Sequence, residues 1–368
     1  MPAGSRLRAP AAATTVALLV LAVSPLAAHA APTSTDSSTG SQVAAAEDSL
    51  ARALAASLRD RHWAGRLRSA VAGGQHDLLA VTGQAGGALA EAGRAANQAI
   101  LTAKGLPAST GSVLAARLAG GSGPIAYVAP DIPDDSAGGS AALLTGYGPG
   151  VTAHRLSART APREAVLVIG VSEDKALQAG LAVVHAELAR RRIGNGTPQA
   201  AAPRAAGFWT TRLMSVRLND DEEPWFKGDA EIYTIVTGVG SDGSPRADIV
   251  QMPYLDNDGT TYTPGQILVD WSHFKYSAVD AVMMEEDDGT NYRALAQAIA
   301  TALLTVLNGV QYAPMVNAIL AAIPDSWWTD DPDYVDSWYL LTKQSNEIRV
   351  GARNNGTATF ARYFVTAV

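Results

Sequence analysis

The sequence predicts an α+β protein: an Ala-rich helical and mixed N-terminal region, then an antiparallel β-sandwich with an inserted helical pair. Three observations carry this. Residues 43–119 are rich in alanine, and Leu50, Leu54 and Leu58 recur at helical spacing. Short runs of β-branched and aromatic residues, separated by short loops, dominate from Arg212 onward. Six of the seven tryptophans lie at 209 or later, which suits a large β core.

The elements follow in chain order. Arg6 and Arg8, the apolar run Ala11 to Val23 and the small residues of Ala28-His29-Ala30 have the pattern of a cleavable secretory signal over residues 1–30. The run is shorter than the roughly 20 residues a bilayer span needs, so no stable membrane span is expected after cleavage. Residues 31–42 read as a flexible leader. The region 43–193 opens on a helix for which Asp48 is the expected cap, with further helical stretches at 64–72 and 84–104. Strands are expected at 125–130 (IAYVAP) and 165–171 (AVLVIGV), and a helix from Glu173 to Arg192. The composition of 194–207 marks a linker and a domain boundary.

From 208 to 368 the strands expected are 212–218, 231–239, 247–255, 266–271 and 279–284, then three more near the C-terminus. Between them, residues 291–323 show helical periodicity broken near Gly309 and Pro314. No charged residue occurs from Ala294 to Pro324, so this pair is expected to be buried, Leu304 included. Membrane insertion is the alternative, but polar residues interrupt the run and its pieces are too short to span.

Charge is unevenly spread. Between Asn219 and Asp336 there are 21 Asp and Glu against four basic residues, a net −17, whereas the rest of the chain carries +10. Nucleic acid, which is bound by neutralising phosphates, is a poor partner for such a surface. Cysteine is absent, so packing, hydrogen bonds or bound ions must hold the chain together. Four acidic clusters fall at expected strand ends. The first is 219–223 with Asp229 and Glu231, the second Asp256 to Gly259, the third Glu285 to Gly289, and the fourth 330–333 with Asp336.

Calcium takes six to eight oxygens from flexible loops, and clustered carboxylates supply them. Asp220, Asp221, Asp229, Glu231, Asp256, Asp258, Asp287 and Asp288 are therefore the expected ligands. Solvated acidic loops are the alternative reading, and paired carboxylates could also serve a glycosidase as acid and base. Zinc-ligand spacing, a Gly-x-Ser-x-Gly elbow and thiol chemistry are all missing. The Gly-x-Gly-x-x-Gly at 238–243 lies between two strands and reads as a hairpin turn.

The blocks DDEEPWFKGDAEIYTIVTGV, DIVQMPYLDNDGTTYTPGQILVDW, VDAVMMEEDDGTNY and DDPDYVD resemble the DUF3103 family of bacterial secreted proteins. That family has no assigned function, so the resemblance implies export and a shared fold, and supplies no catalytic residues. The resulting expectation is a secreted protein with a calcium-binding β-sandwich domain. It would act in extracellular binding or structure, with a partner that the residues do not name. An extracellular metal-dependent hydrolase using the same loops is the alternative.

Overall fold

Ser38 accepts a hydrogen bond from the Ser41 N–H at 3.2 Å and so starts helix α1 (Thr39–Ser57), inside the stretch read as leader. Asp48 is not its cap. It lies within the helix, 2.7 Å from Arg52 Nε, and accepts from the Tyr147 hydroxyl. Asp60 and Asp77 cap α2 (Arg61–Ala70) and α3 (Leu78–Ala85), each accepting two backbone N–H bonds, and α4 (Gly87–Ala103) follows. The protein is described by a computed structural model covering residues 38–132, 143–196, 207–220, 226–227, 230–286, 288–308, 317–319 and 334–366. The expected signal segment therefore lies outside the described residues, as do most of the leader and of the linker.

Sheet I contains β1 (His76–Asp77), β2 (Leu114–Gly120), β3 (Ile125–Pro130), β4 (Leu143–Tyr147), β5 (Ala153–Ser157) and β6 (Ala165–Val171) in the order β1-β2-β6-β3-β4-β5. Every residue of β6 is buried, as its unbroken apolar run predicts, and it pairs parallel to β3 and antiparallel to β2. Helix α5 (Glu173–Arg190) follows β6 at once.

Sheets II and III form the sandwich. Sheet II has the order β14-β13-β9-β10-β7, from β7 (Gly194–Gly196), β9 (Ile232–Val239), β10 (Pro245–Gln251), β13 (Ala278–Glu285) and β14 (Tyr334–Thr342). Its pairs are antiparallel except β7 with β10, so the residues read as the start of a linker supply an edge strand. Sheet III has the order β11-β8-β16-β15, from β8 (Phe208–Leu218), β11 (Thr261–Tyr262), β15 (Glu347–Val350) and β16 (Gly356–Val365), with β12 (Gln266–Asp270) also on β8. Between the sheets, Val236, Met283 and Trp338 pack in one core with Leu213, Val216 and Phe360. Gly240 N–H donates to Ser244 O at 2.7 Å, closing the expected hairpin turn between β9 and β10.

The other face of sheet II meets the helices. Tyr233, Ile235, Ile249 and Val282 share a core with Leu295, Ile299 and Leu303 of α6 (Tyr292–Asn308), and the same core continues through α1 and α4 to sheet I. Residues Ser37–Val368 thus form one compact unit. Leu304, expected to be buried, is instead 37% exposed, because the residue next to buried Leu303 is turned about 100° around the helix. Of the second expected helix only 317–319 are described, and they are helical. Among the described residues, no helix is long and apolar enough to cross a membrane.

Candidate metal centre

The buried face of α1 is set by Val43, Leu50, Ala51 and Leu54, and Glu47 falls on that same face. Its side chain is therefore carried into the protein and is fully buried. Asp131 directly follows β3, and its N–H donates to Ile169 O at 2.9 Å, extending the ladder with β6 by one residue. Its carboxylate lies over Gly170, where any Cβ would overlap it, so this glycine is required by close approach. Asp288 sits in the turn after β13 and is 5% exposed.

These three acids meet. One oxygen from each of Glu47, Asp131 and Asp288 lies within 4.8 Å of the others. Ligands of one ion at about 2.4 Å stand no more than about 4.8 Å apart, so a single hard cation could contact all three. Among the described residues, no N–H or hydroxyl donor reaches either oxygen of Glu47, Oδ1 of Asp131 or Oδ1 of Asp288, while Asp288 Oδ2 faces the ammonium of Lys227. Glu47 and Asp131 could hydrogen-bond each other only with a proton held between them.

One cation stands beside them. Lys227 Nζ is 3.3 Å from Asp288 Oδ2 and 3.9 Å from Glu173 Oε1, with both lysine and glutamate buried. One ammonium does not neutralise four carboxylates. Burial, followed by the charges of Asp131 and Asp288, drives the Glu47 pKa well above the ordinary carboxylate value. Burial, followed by Asp288, pushes Asp131 up to about 7. Lys227 pulls both the other way and does not win.

The cluster is not sealed. A cavity of about 20 Å³, room for one water, is lined by Asp131, Glu173, Lys227, Gln75 and Arg117. A larger pocket of about 360 Å³ shares Gln75, Ala115 and Glu173 with it and is also lined by Ser172, Asp77 and Glu231.

Three other buried acids, Glu286, Asp336 and Asp248, have partners of their own. Glu286 pairs with Lys104 at 3.0 Å, both fully buried, and accepts the Tyr292 hydroxyl. Asp336 takes four backbone N–H bonds, from Ser337, Arg353, Asn355 and Gly356, at 2.6–3.0 Å. Asp248 holds Arg246 at 2.8 Å and His273 Nδ1 at 2.6 Å.

Of the expected ligands, Asp288 joins the three-carboxylate group. Glu231 is half-buried and lines the larger pocket, and its carbonyl accepts the Glu286 N–H at 3.2 Å. Asp256 instead accepts from Tyr262 at 2.6 Å and Asn257 at 2.8 Å. Asp258 is exposed in the same turn, whose Gly259 N–H bonds Leu218 O. Asp220 is exposed at the end of β8, its N–H held by Asn355 Oδ1. Asp221, Asp229 and Asp287 lie outside the described residues. Glu47 and Asp131 were missed. The only signal for Glu47 is an acid on an otherwise apolar helical stripe, and Asp131 has none beyond its place at a strand end.

Fold and cluster together define an α+β protein, with no closed barrel among the described residues, that carries a buried acidic centre where its helices, sheet I and the loop after β13 meet. The chain belongs to the DUF3103 family, described as a protein of unknown function, whose profile matches residues 40–367. No curated protein and no solved structure matches it.

Proposed function

We propose that this protein binds a divalent cation, calcium by the chemistry of its donors, and serves an extracellular binding or structural role. The supporting observation is the group Glu47, Asp131 and Asp288, which offers one oxygen each within reach of one ion, with both oxygens of Glu47 and Oδ1 of Asp131 lacking a donor among the described residues. Unpaired buried carboxylates are costly, and a hard cation with oxygen preference offsets that cost directly. The ion would tie α1, the end of β3 and the loop after β13 to one point. Export is supported by the N-terminal pattern of Arg6, Arg8 and the apolar run ending before Ala28-His29-Ala30.

The test is thermal unfolding in calcium, in magnesium and in excess chelator. A ligand at about 100 times its dissociation constant, bound only to the native state, adds about 2.7 kcal/mol. A calcium-specific rise that Asp131→Asn abolishes supports the reading; an unchanged transition refutes it. A metal-dependent hydrolase is the second reading, favoured by the pocket that meets the centre at Glu173. Turnover of a polysaccharide, peptide or phosphoester panel, lost in Asp131→Asn while the fold persists, would favour it over a purely structural ion.

A further inference from the structure

Among the four carboxylates around this centre stands the ammonium of Lys227, and Arg117 lines the small cavity beside Asp131. Lys227 directly follows Phe226, which is buried against Ala129, Leu144, Val166 and Val168 on the far face of sheet I. That anchor fixes where the lysine enters. Its Nζ then sits between Asp288 and Glu173, at 3.3 and 3.9 Å. We propose that Lys227 sets the affinity of the cation site: it holds the acidic group together when no ion is bound, and it weakens binding by like-charge repulsion when one is. This rests on the cation-binding reading above.

Two consequences separate this from a lysine that merely fills space. With Phe226 packed into sheet I and Nζ already at Asp288, an ion held by Asp288 shares the group with the ammonium. Repulsion between fixed charges scales linearly with the charge of the ion. Removing the ammonium should therefore help a trivalent ion more than a divalent one. A steric obstruction would help both alike.

The experiment is calorimetric titration of the chelator-treated protein with calcium chloride and with terbium chloride, for wild type, Lys227→Met and Lys227→Gln. Expected is a calcium affinity at least about tenfold higher in both variants, and a terbium gain near the 3/2 power of the calcium gain, about thirtyfold for a tenfold calcium effect. The ion-free variants should also melt below wild type. Lys227→Gln retains a donor towards Asp288, and so reports on charge if Lys227→Met does not fold. Unchanged or weaker calcium binding in the folded variants would overturn the proposal, as would equal gains for the two ions. Failure of the wild type to bind either ion would instead overturn the cation site itself.

Discussion

Raising the pH from about 5.5 to about 8 in excess chelator should weaken this fold, opposite to the usual behaviour of native carboxylates. The group responsible is Asp131, held at about 7 by burial and by the charge of Asp288. A carboxyl whose folded pKa is raised binds its proton more tightly in the native state. The stability it contributes is complete below its ordinary value of 3.8 and is lost as the pH climbs through 7. At about 1.4 kcal/mol per pH unit, the full span is on the order of 4 kcal/mol. About 2 kcal/mol of that should remain at pH 5.5, and almost none at pH 8. Glu47, also raised, acts in the same direction. His185, lowered by burial, acts oppositely below its ordinary 6.5, so the Asp131→Asn variant is the necessary control. Urea unfolding at a series of pH values, with the slope m constant, measures the effect. Saturating calcium should flatten the profile or reverse its sign, because the ion requires ionised ligands. Chelated wild type that is equally or more stable at pH 8, or an Asp131→Asn variant with the same profile, would refute the reasoning.

Four further outcomes follow from the packing. Gly170→Ala should abolish the calcium-dependent rise in melting temperature, because the new methyl would displace the Asp131 carboxylate. Leu303→Asp should cost at least about 3 kcal/mol, since it places a charge in a fully buried position. Leu304→Asp, one residue along on the outer face, should stay within about 0.5 kcal/mol in the same urea titration. Asp336→Ala should cost roughly 2–4 kcal/mol by orphaning four backbone N–H groups, equally with calcium and with chelator.

Strand periodicity carried the sandwich. Runs such as 231–239 and 279–284 are β-branched and apolar because both faces of sheet II are covered, by sheet III on one side and by helices on the other. The N-terminal sheet was less legible. LAARLAG of β2 has the small residues of a helix and becomes a strand only because β6 offers it seven partners. β5, exposed at four of its five positions, carries no apolar pattern at all. The charge centre was legible only at one corner. Acidic density pointed to the loop holding Asp288, but the density elsewhere is solvated at Asp258 or absorbed by hydroxyl and amide groups, as at Asp256. Its other members come singly from Glu47 and Asp131, far apart in sequence, and only the packing of α1 against β3 brings their elements together. Local composition cannot report such a meeting.

The position of β16 has a consequence for the order in which the protein can be completed. Its ten residues, C-terminal to every other described strand, run along the whole of β8 from Leu218 to Phe208, with β15 on their other side. This late strand is therefore an inner strand of sheet III, and its partner β8 is made roughly 140 to 160 residues earlier. Pairings this distant slow folding, because a long loop must close before any contact rewards it. Until synthesis has passed Phe360, β8 and β15 each present an unpaired backbone edge, the kind of template on which strands of other chains add. A chain halted before Gly356 would keep both edges open, and self-association would be the expected fate of that product.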